Sequence, residues 1–366
     1  MKINLLTWQS NLTSGGIQNT AYLLAEEMTK SLGDDFILFE ESNSIQQDGV
    51  NTVLMPYKSW WRFYLETFRY MKKTRISEYN LCMLWMCGIS AYIYKKIYGI
   101  PYGVMIYGND VIEAQGESLK RKLKNKVRKI VLKNADTIFS CSNYSLDLVR
   151  KITNNKNLCV IHPPVLFRET DSFIKTDNDS HIVFSIGRHV ERKGFQDVIQ
   201  AISILKNKYS DIMYRIAGDG PYHNKLKFLV KKLDLEKHVT FLGRISEEEK
   251  VKEFRKCPIF VMTSHEEIDN MEVEGFGIVY IEANMYGKWV LACNSGGVSD
   301  AVIDGKTGTL IEEPNPSLIS KKIDEFFSGE IKVDSNNLIE WSKEFSPQTI
   351  ANQYLSEIRK TVRTKN

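Results

Sequence analysis

Cysteine pairs of the kind that hold metals or stitch secreted domains are missing from this chain. Its six cysteines, at positions 82, 87, 141, 159, 257 and 293, form no Cys-x-x-Cys. That excludes a zinc ribbon and a disulfide framework, and predicts small buried side chains in a reducing compartment. Long apolar runs are missing too. The most apolar stretch, residues 81–94, ends at Lys95-Lys96 and is too short to span a bilayer. Residues 1–6 move straight into a strand-like run without signal-peptide architecture. A cytoplasmic protein is predicted, at most peripheral at the inner face of the cell membrane. After that first run the chain offers only adjacent glycines, Gly15-Gly16, and no Gly-x-Gly-x-x-Gly, which counts against a nicotinamide-binding domain.

What is present is ordinary globular composition, 43% hydrophobic and 26% charged, over 366 residues, enough for two domains with a core each. The net charge of +4 is uneven: residues 1–165 carry 21 Lys/Arg against 14 Asp/Glu. The first half is therefore the one expected to meet something anionic. Two stretches carry the bias. Residues 58–75 mix six Lys/Arg with Trp60, Trp61, Phe63, Tyr64, Phe68 and Tyr70, and residues 120–133 hold eight Lys/Arg and no acid. Both suit peripheral contact with an anionic membrane; the plain alternative is a solvated helix face with its aromatics in the core. No nucleic-acid motif accompanies the charge, so nucleic acid is not predicted as a partner.

Apolar runs at 3–8, 36–39, 81–86, 101–106 and 137–141 read as buried strands with helices between, the first helix covering 17–30. Such alternation predicts a parallel sheet with ligands at the carboxyl ends of its strands. Asp110, in Tyr107-Gly108-Asn109-Asp110 at one such end, is a candidate catalytic residue or a plain turn former. A polar linker, residues 168–180, precedes a restart of the pattern. Strands are predicted at 181–186, 213–217, 239–242, 259–262 and 289–292, with a helix from 195 to about 209. Four of their ends carry glycine loops, as a nucleotide-binding half-sheet would. The closing helix carries Ile350, Tyr354 and Ile358 on one face and needs a partner.

The most informative stretch is residues 274–282, Glu-Gly-Phe-Gly-Ile-Val-Tyr-Ile-Glu. The glycines permit close backbone approach and turn geometry. No breaker follows before Gly287, so a short helix is predicted with its free N–H groups at Gly277, a site for an anion. Glu274 at that mouth would repel phosphate and suits sugar hydroxyls. Arg188 and Lys193, five apart on one strand-end loop, supply two cations of the kind a diphosphate requires. The bland reading is an acidic loop (Glu266, Glu267, Asp269, Glu272, Glu274) followed by an ordinary helix.

Gly187-Arg188…Lys193-Gly194, Gly218-Asp219-Gly220-Pro221, Glu274-Gly-Phe-Gly…Glu282 and Ser295-Gly-Gly-Val…Asp300…Gly308 occur in order. In these the chain resembles the retaining glycosyltransferases of family 4, with a form similar to a mannosyltransferase-rich branch. The second half matches closely; the first matches loosely, through Gly15-Gly16, Gly108-Asn109-Asp110 and Ser140-Cys-Ser142. The resemblance implies an α/β protein of the GT-B fold, two Rossmann-like doubly wound domains with the active site in the cleft between them. Residues 1–168 would be the acceptor-side domain, with helix 348–366 packing back on it, and 169–347 the nucleotide-sugar domain.

It further implies that Arg188 and Lys193 hold the donor diphosphate, Glu282 the ribose and Glu274 the transferred sugar. Backbone at Phe276, Gly277 and Ile278 would meet sugar and phosphate. Gly243, Arg244 and Ile245 would border the base, and Gly15-Gly16 the phosphates or acceptor. Tyr107 stands where the family often has His, and Trp289 where Pro is usual. The implied activity is metal-independent transfer of a hexose, without a cofactor, from a UDP- or GDP-sugar to a glycan or lipid-linked glycan acceptor, in bacterial surface polysaccharide or lipopolysaccharide synthesis. The alternatives are a nucleotide-sugar epimerase of the same fold and a non-catalytic nucleotide-sugar-binding subunit.

Overall fold

The computed structural model describes residues 1–8, 10, 15–41, 48–55, 60–74, 77–112, 118–166, 180–266 and 272–364. Thr13-Ser14, most of the linker and positions 267–271 of the acidic loop lie outside them. The chain divides into two compact units, Met1–Leu166 with Phe345–Asn366, and Phe167–Glu344.

The first unit alternates strand and helix: β1 (Ile3–Leu6), α1 (Gly16–Leu32), β2 (Phe36–Glu41), β3 (Thr52–Met55), α2 (Trp60–Thr74), β4 (Tyr79–Met83), α3 (Leu84–Tyr98), β5 (Tyr102–Ile106), α4 (Leu119–Asn134), β6 (Thr137–Ser140), α5 (Asn143–Ile152) and β7 (Leu158–Val160). Its seven strands lie in the order β3-β2-β1-β4-β5-β6-β7, every pairing parallel. β1, β4, β5 and β6 are buried along their whole length, which is why they read as continuous apolar runs rather than alternating ones.

The run at 81–86 is a correction. The strand ends at Met83, and Leu84, at φ 65, turns the chain directly into α3. With no polar loop between the two elements, nothing in the residue types marks the boundary. The short strands β3 and β7 have no counterpart in the residue pattern: both are edge strands with mostly half-exposed residues, so neither shows a buried run. In α2, Phe63 and Tyr64 belong to the first unit's core and Phe68 and Tyr70 pack against it. Phe63 and Tyr64 are thus taken by the interior, while Phe68 and Tyr70 are half-buried against it.

The second unit repeats the scheme: β8 (Ile182–Ile186), α6 (Phe195–Leu205), β9 (Met213–Ala217), α7 (His223–Lys232), β10 (Val239–Gly243), α8 (Glu247–Lys256), β11 (Ile259–Met262), α9 (Ile278–Met285), β12 (Trp289–Cys293), α10 (Val298–Ala301), β13 (Gly308–Ile311), α11 (Pro316–Phe327) and α12 (Ser335–Lys343). The sheet order is β10-β9-β8-β11-β12-β13. The chain runs outward from β8 through β9 to β10, then returns to β8's other side with β11. This reversal opens a crevice at the carboxyl ends of β8 and β11, where ligands of doubly wound sheets bind.

The last helix, α13 (Pro347–Arg363), belongs to the first unit. Ser346 caps it by accepting from the Thr349 N–H, with Pro347 in the first turn. Ile350, Ala351, Tyr354, Leu355 and Ile358 join one apolar cluster with Ala21, Leu24, Ala25 and Met28 of α1. Each of the larger side chains contributes about 1.5–3 kcal/mol by burial.

Candidate active site

The loop after β8 and the loop after β11 are stitched together. A short turn at Glu191–Lys193 ends in Gly194, whose φ of 74 is left-handed. A side chain there would run into Thr263, so only glycine lets the two loops touch. Across the same seam the His265 N–H donates to the Arg192 carbonyl at 2.8 Å. The seam carries Arg192 and Lys193 to Glu274. Lys193 Nζ bonds Glu274 Oε2, and Arg192 lies 3.7 Å from the same oxygen while its Nε holds Glu272 at 2.9 Å. Burial alone would push the Glu274 carboxyl up; the Lys193 ammonium in contact with it, then Arg192, outweigh burial and hold it below the ordinary carboxylate range.

Glu274 is fixed from behind as well. Its carbonyl accepts from the Gly297 N–H at 2.8 Å, and a side chain at Gly296 would strike that same carbonyl. Three residues on, Gly277 caps α9, with Phe276 buried beneath the turn and Ile278 opening the helix. The Tyr280 hydroxyl donates to the Met262 carbonyl at 2.9 Å, tying α9 to the end of β11. The first N–H groups of α9 have no acceptor within the helix. A carboxylate, two cations and a helix N-terminus are therefore grouped at the switch point. Arg188, at the end of β8, is exposed and has no ion pair among the described residues.

Glu282 faces a neighbour that its own stretch did not reveal. Helix α8 opens with a capping box between Ser246 and Glu249, and one turn in, Lys250 bonds Glu282 at 2.7 Å and Glu247 at 2.8 Å. Replacing Lys250 by methionine leaves a nearly buried carboxylate without its cation, so a loss of about 3 kcal/mol is expected. Urea unfolding checks this, and an unchanged midpoint would refute it. Gly243 ends β10 and its carbonyl accepts from the Gly218 N–H at 2.7 Å; beyond it Arg244 is exposed and Ile245 half-buried.

The remaining candidates lie in the first unit. Gly15 is the cap of α1 and Gly16 its first residue; the Asn19 N–H donates to the Gly15 carbonyl at 3.0 Å. Asp110 closes its own turn, with Oδ1 accepting from the Tyr107 N–H at 2.9 Å, and its carbonyl accepts from Trp85 Nε1 at 3.0 Å. The Tyr107 hydroxyl rests 3.6 Å from the Met83 sulfur. Burial pushes the Asp110 carboxyl up to about 6, against the lowering effect of the turn's N–H groups and Arg128. Below pH 4 the carboxyl is protonated whether folded or unfolded; from about pH 4 to 6 only the unfolded form ionises. Stability from this group therefore falls across that window by about 1.4 kcal/mol per pH unit. Asp110→Asn is expected to flatten that limb of the stability–pH curve; identical curves would refute the assignment.

Two doubly wound parallel sheets, with grouped cations beside a helix N-terminus at the switch point of the second, are the architecture of the GT-B fold. Residues 167–344, just under half of the chain, match the family of glycosyl transferases group 1, and that match supports a family 4-like glycosyltransferase. An uncharacterized glycosyltransferase of Methanocaldococcus jannaschii is 29% identical over 69% of this chain and 66% of its own length. The GDP-mannose-dependent alpha-(1-6)-phosphatidylinositol monomannoside mannosyltransferase of Mycolicibacterium smegmatis is 33% identical over 41% of this chain and 39% of its own. The chain thus spans under two thirds of each of these relatives. Among solved structures, Anabaena HepE in complex with UDP superposes with a TM-score of 0.80 at 16% identity, over 98% of this chain and 100% of that one. Sucrose-phosphate synthase from Thermosynechococcus elongatus gives 0.79 at 17% identity, over 99% of both.

Proposed function

We propose that this chain is a retaining, metal-independent glycosyltransferase that moves a hexose from a UDP- or GDP-sugar to a glycan or lipid-linked glycan acceptor, in the assembly of a bacterial-type surface polysaccharide. The observation that carries this reading is the Lys193–Glu274 pair held beside the N-terminus of α9. The carboxylate takes sugar hydroxyls, while Lys193, Arg188 and the first α9 N–H groups take the diphosphate. Glu282, oriented by Lys250, takes the ribose hydroxyls, and the 243–245 loop borders the base. A relative named for GDP-mannose and a neighbour crystallised with UDP support both donor classes.

In the reaction the bond between the anomeric carbon and the donor phosphate oxygen breaks, and charge grows on the departing nucleoside diphosphate. Arg188, Lys193 and the helix N-terminus stabilise that charge in place, without reorganising. The acceptor hydroxyl forms its bond on the face the diphosphate leaves, and its proton passes to a donor phosphate oxygen, so configuration is retained and no protein base is needed. The test is thermal stability of the purified protein against UDP, GDP, ADP and CMP in chelated buffer. One nucleotide at 100 times its dissociation constant adds about 2.7 kcal/mol. No shift from any of the four would refute the reading.

Membrane contact, within this proposal, falls to α4. Leu119 and Leu123 stand 85% and 63% exposed among exposed Lys120, Lys122, Lys124 and Lys126, an apolar edge within a basic face. Among the described residues no helix is long and apolar enough to cross a membrane. Exchanging Lys120, Lys122, Lys124 and Lys126 for glutamate is expected to abolish sedimentation with phosphatidylglycerol vesicles, at about 1 kcal/mol per charge. Retained sedimentation would exclude this face.

A further inference from the structure

A second cluster, sharing no residue with the Lys193–Glu274 pair, lies where the loops after β8 and β9 run side by side. The Gly187 N–H donates to the Ala217 carbonyl at 3.1 Å, the His189 N–H to the Asp219 carbonyl at 2.9 Å, and the Tyr222 N–H to the His189 carbonyl at 3.0 Å. A side chain at Gly218 or Gly220 would collide with the backbone of Gly187 or His189, so the approach is built on glycine. It stacks the rings of His189 and His223, with centroids 5.1 Å apart and planes 15° off parallel. Phe195 packs on the first ring, and Phe241 on both.

The two Nδ1 atoms face each other at 2.9 Å. Two neutral imidazoles share one proton at such a contact, and a cation can take its place. One ligand atom from each of His189, Asp219 and His223 lies within 4.8 Å of the others; among the described residues this is the group of His, Cys, Asp and Glu close enough to hold an ion. His189 is fully buried and its Nε2 has no hydrogen-bond partner. Asp219 is exposed; its Oδ1 accepts from the Gly220 N–H at 2.7 Å, which leaves the other oxygen for a ligand.

We propose that His189, Asp219 and His223 form a binding site for a divalent transition metal of the Zn2+ type, which pins the loop carrying Arg188 to the loop after β9. Two imidazoles and one carboxylate, with an open side toward solvent, suit zinc better than magnesium or calcium, which prefer all-oxygen shells. Imidazole nitrogens at about 2.0–2.1 Å from zinc stand roughly 3.3 Å apart in a tetrahedron, so the pair needs to open only slightly. The metal is a clamp on a loop and takes no part in sugar transfer, and the proposal does not depend on the donor reading.

The test is Zn2+ binding to the metal-stripped full chain, read by competition with a chromophoric chelator, with Co2+ absorption as the report on ligand geometry. One equivalent is expected, with visible Co2+ bands of a low-coordinate nitrogen–oxygen site. His223→Gln is expected to remove the tight site, and Asp219→Asn to weaken it about tenfold or more. Asp219 is exposed, so its variant keeps the test valid if His223→Gln folds poorly; circular dichroism separates the two outcomes. Absence of tight binding to the parent chain, or equal binding by parent and Asp219→Asn, would overturn the proposal.

Discussion

Glu274→Ala is expected to lower sugar transfer several hundredfold or more while nucleoside diphosphate binding holds or tightens. The two effects separate because the carboxylate serves the sugar and its partners serve the phosphates. Losing one preorganised contact to the transition state costs about 3–4 kcal/mol in the barrier. In the same variant Lys193 and Arg192 lose the anion they now share, and an uncompensated, mostly buried cation costs about 3–5 kcal/mol of stability. A diphosphate supplies the missing charge. The ligand-free variant should therefore melt lower than the parent, and the rise in Tm with nucleotide should be larger. The acid side gives a further sign: the Glu274 carboxyl is held below its ordinary value, so its stabilisation is complete above the ordinary carboxylate pKa and is lost as pH falls through the folded one. The variant lacks that acid limb. A kcat equal to the parent's would remove Glu274 from the chemistry.

Arg188→Ala is expected to do the opposite: nucleotide affinity falls and the fold is unaffected. The side chain is exposed, so its removal leaves no cavity and no orphaned charge. A charge-assisted contact to a phosphate is worth about 1.5–3 kcal/mol, which corresponds to a Kd raised roughly tenfold to 150-fold. The Tm without ligand should match the parent, and the nucleotide-dependent rise should shrink or vanish. Calorimetric titration with the nucleotide that shifts the parent checks the size. An unchanged Kd would place the diphosphate elsewhere.

Much of the fold was legible because parallel strands buried on both faces carry an unmistakable residue pattern. The apolar runs at 213–217 and 259–262 coincide with β9 and β11, and the start of α9 follows from Gly277. What escaped was either exposed or seamless. The edge strand β13, buried only at its two ends, offers no run to read, and Leu84 joins strand to helix without a polar marker. The helical pattern runs on to about 209, whereas α6 ends at Leu205 and the chain turns back through hydrogen bonds from Lys208 and Tyr209 to Leu205. At the site, residue types point to the chemistry but not to the pairings. Nothing near Glu282 in the sequence names Lys250, 32 positions away, and nothing near Glu274 names Arg192. These contacts depend on which loops the sheet order sets side by side, and sheet order is not written in local pattern.

The placement of α13 bears on how this chain comes into being. Ribosomes release the strands of the first unit early, but the part of α1's cover that α13 supplies arrives only with residues 350–358. Until then Ala21, Leu24, Ala25 and Met28 have only the strand side of their cluster, among it Ile3, Leu5, Phe36 and Leu38. The second unit, Phe167–Glu344, has meanwhile emerged in full and can fold as a unit. Synthesis and completion therefore run in different orders: the unit begun first is completed only after the second has emerged, and until residues 350–358 follow the nascent chain carries a partly open apolar face, a natural holding point for a chaperone.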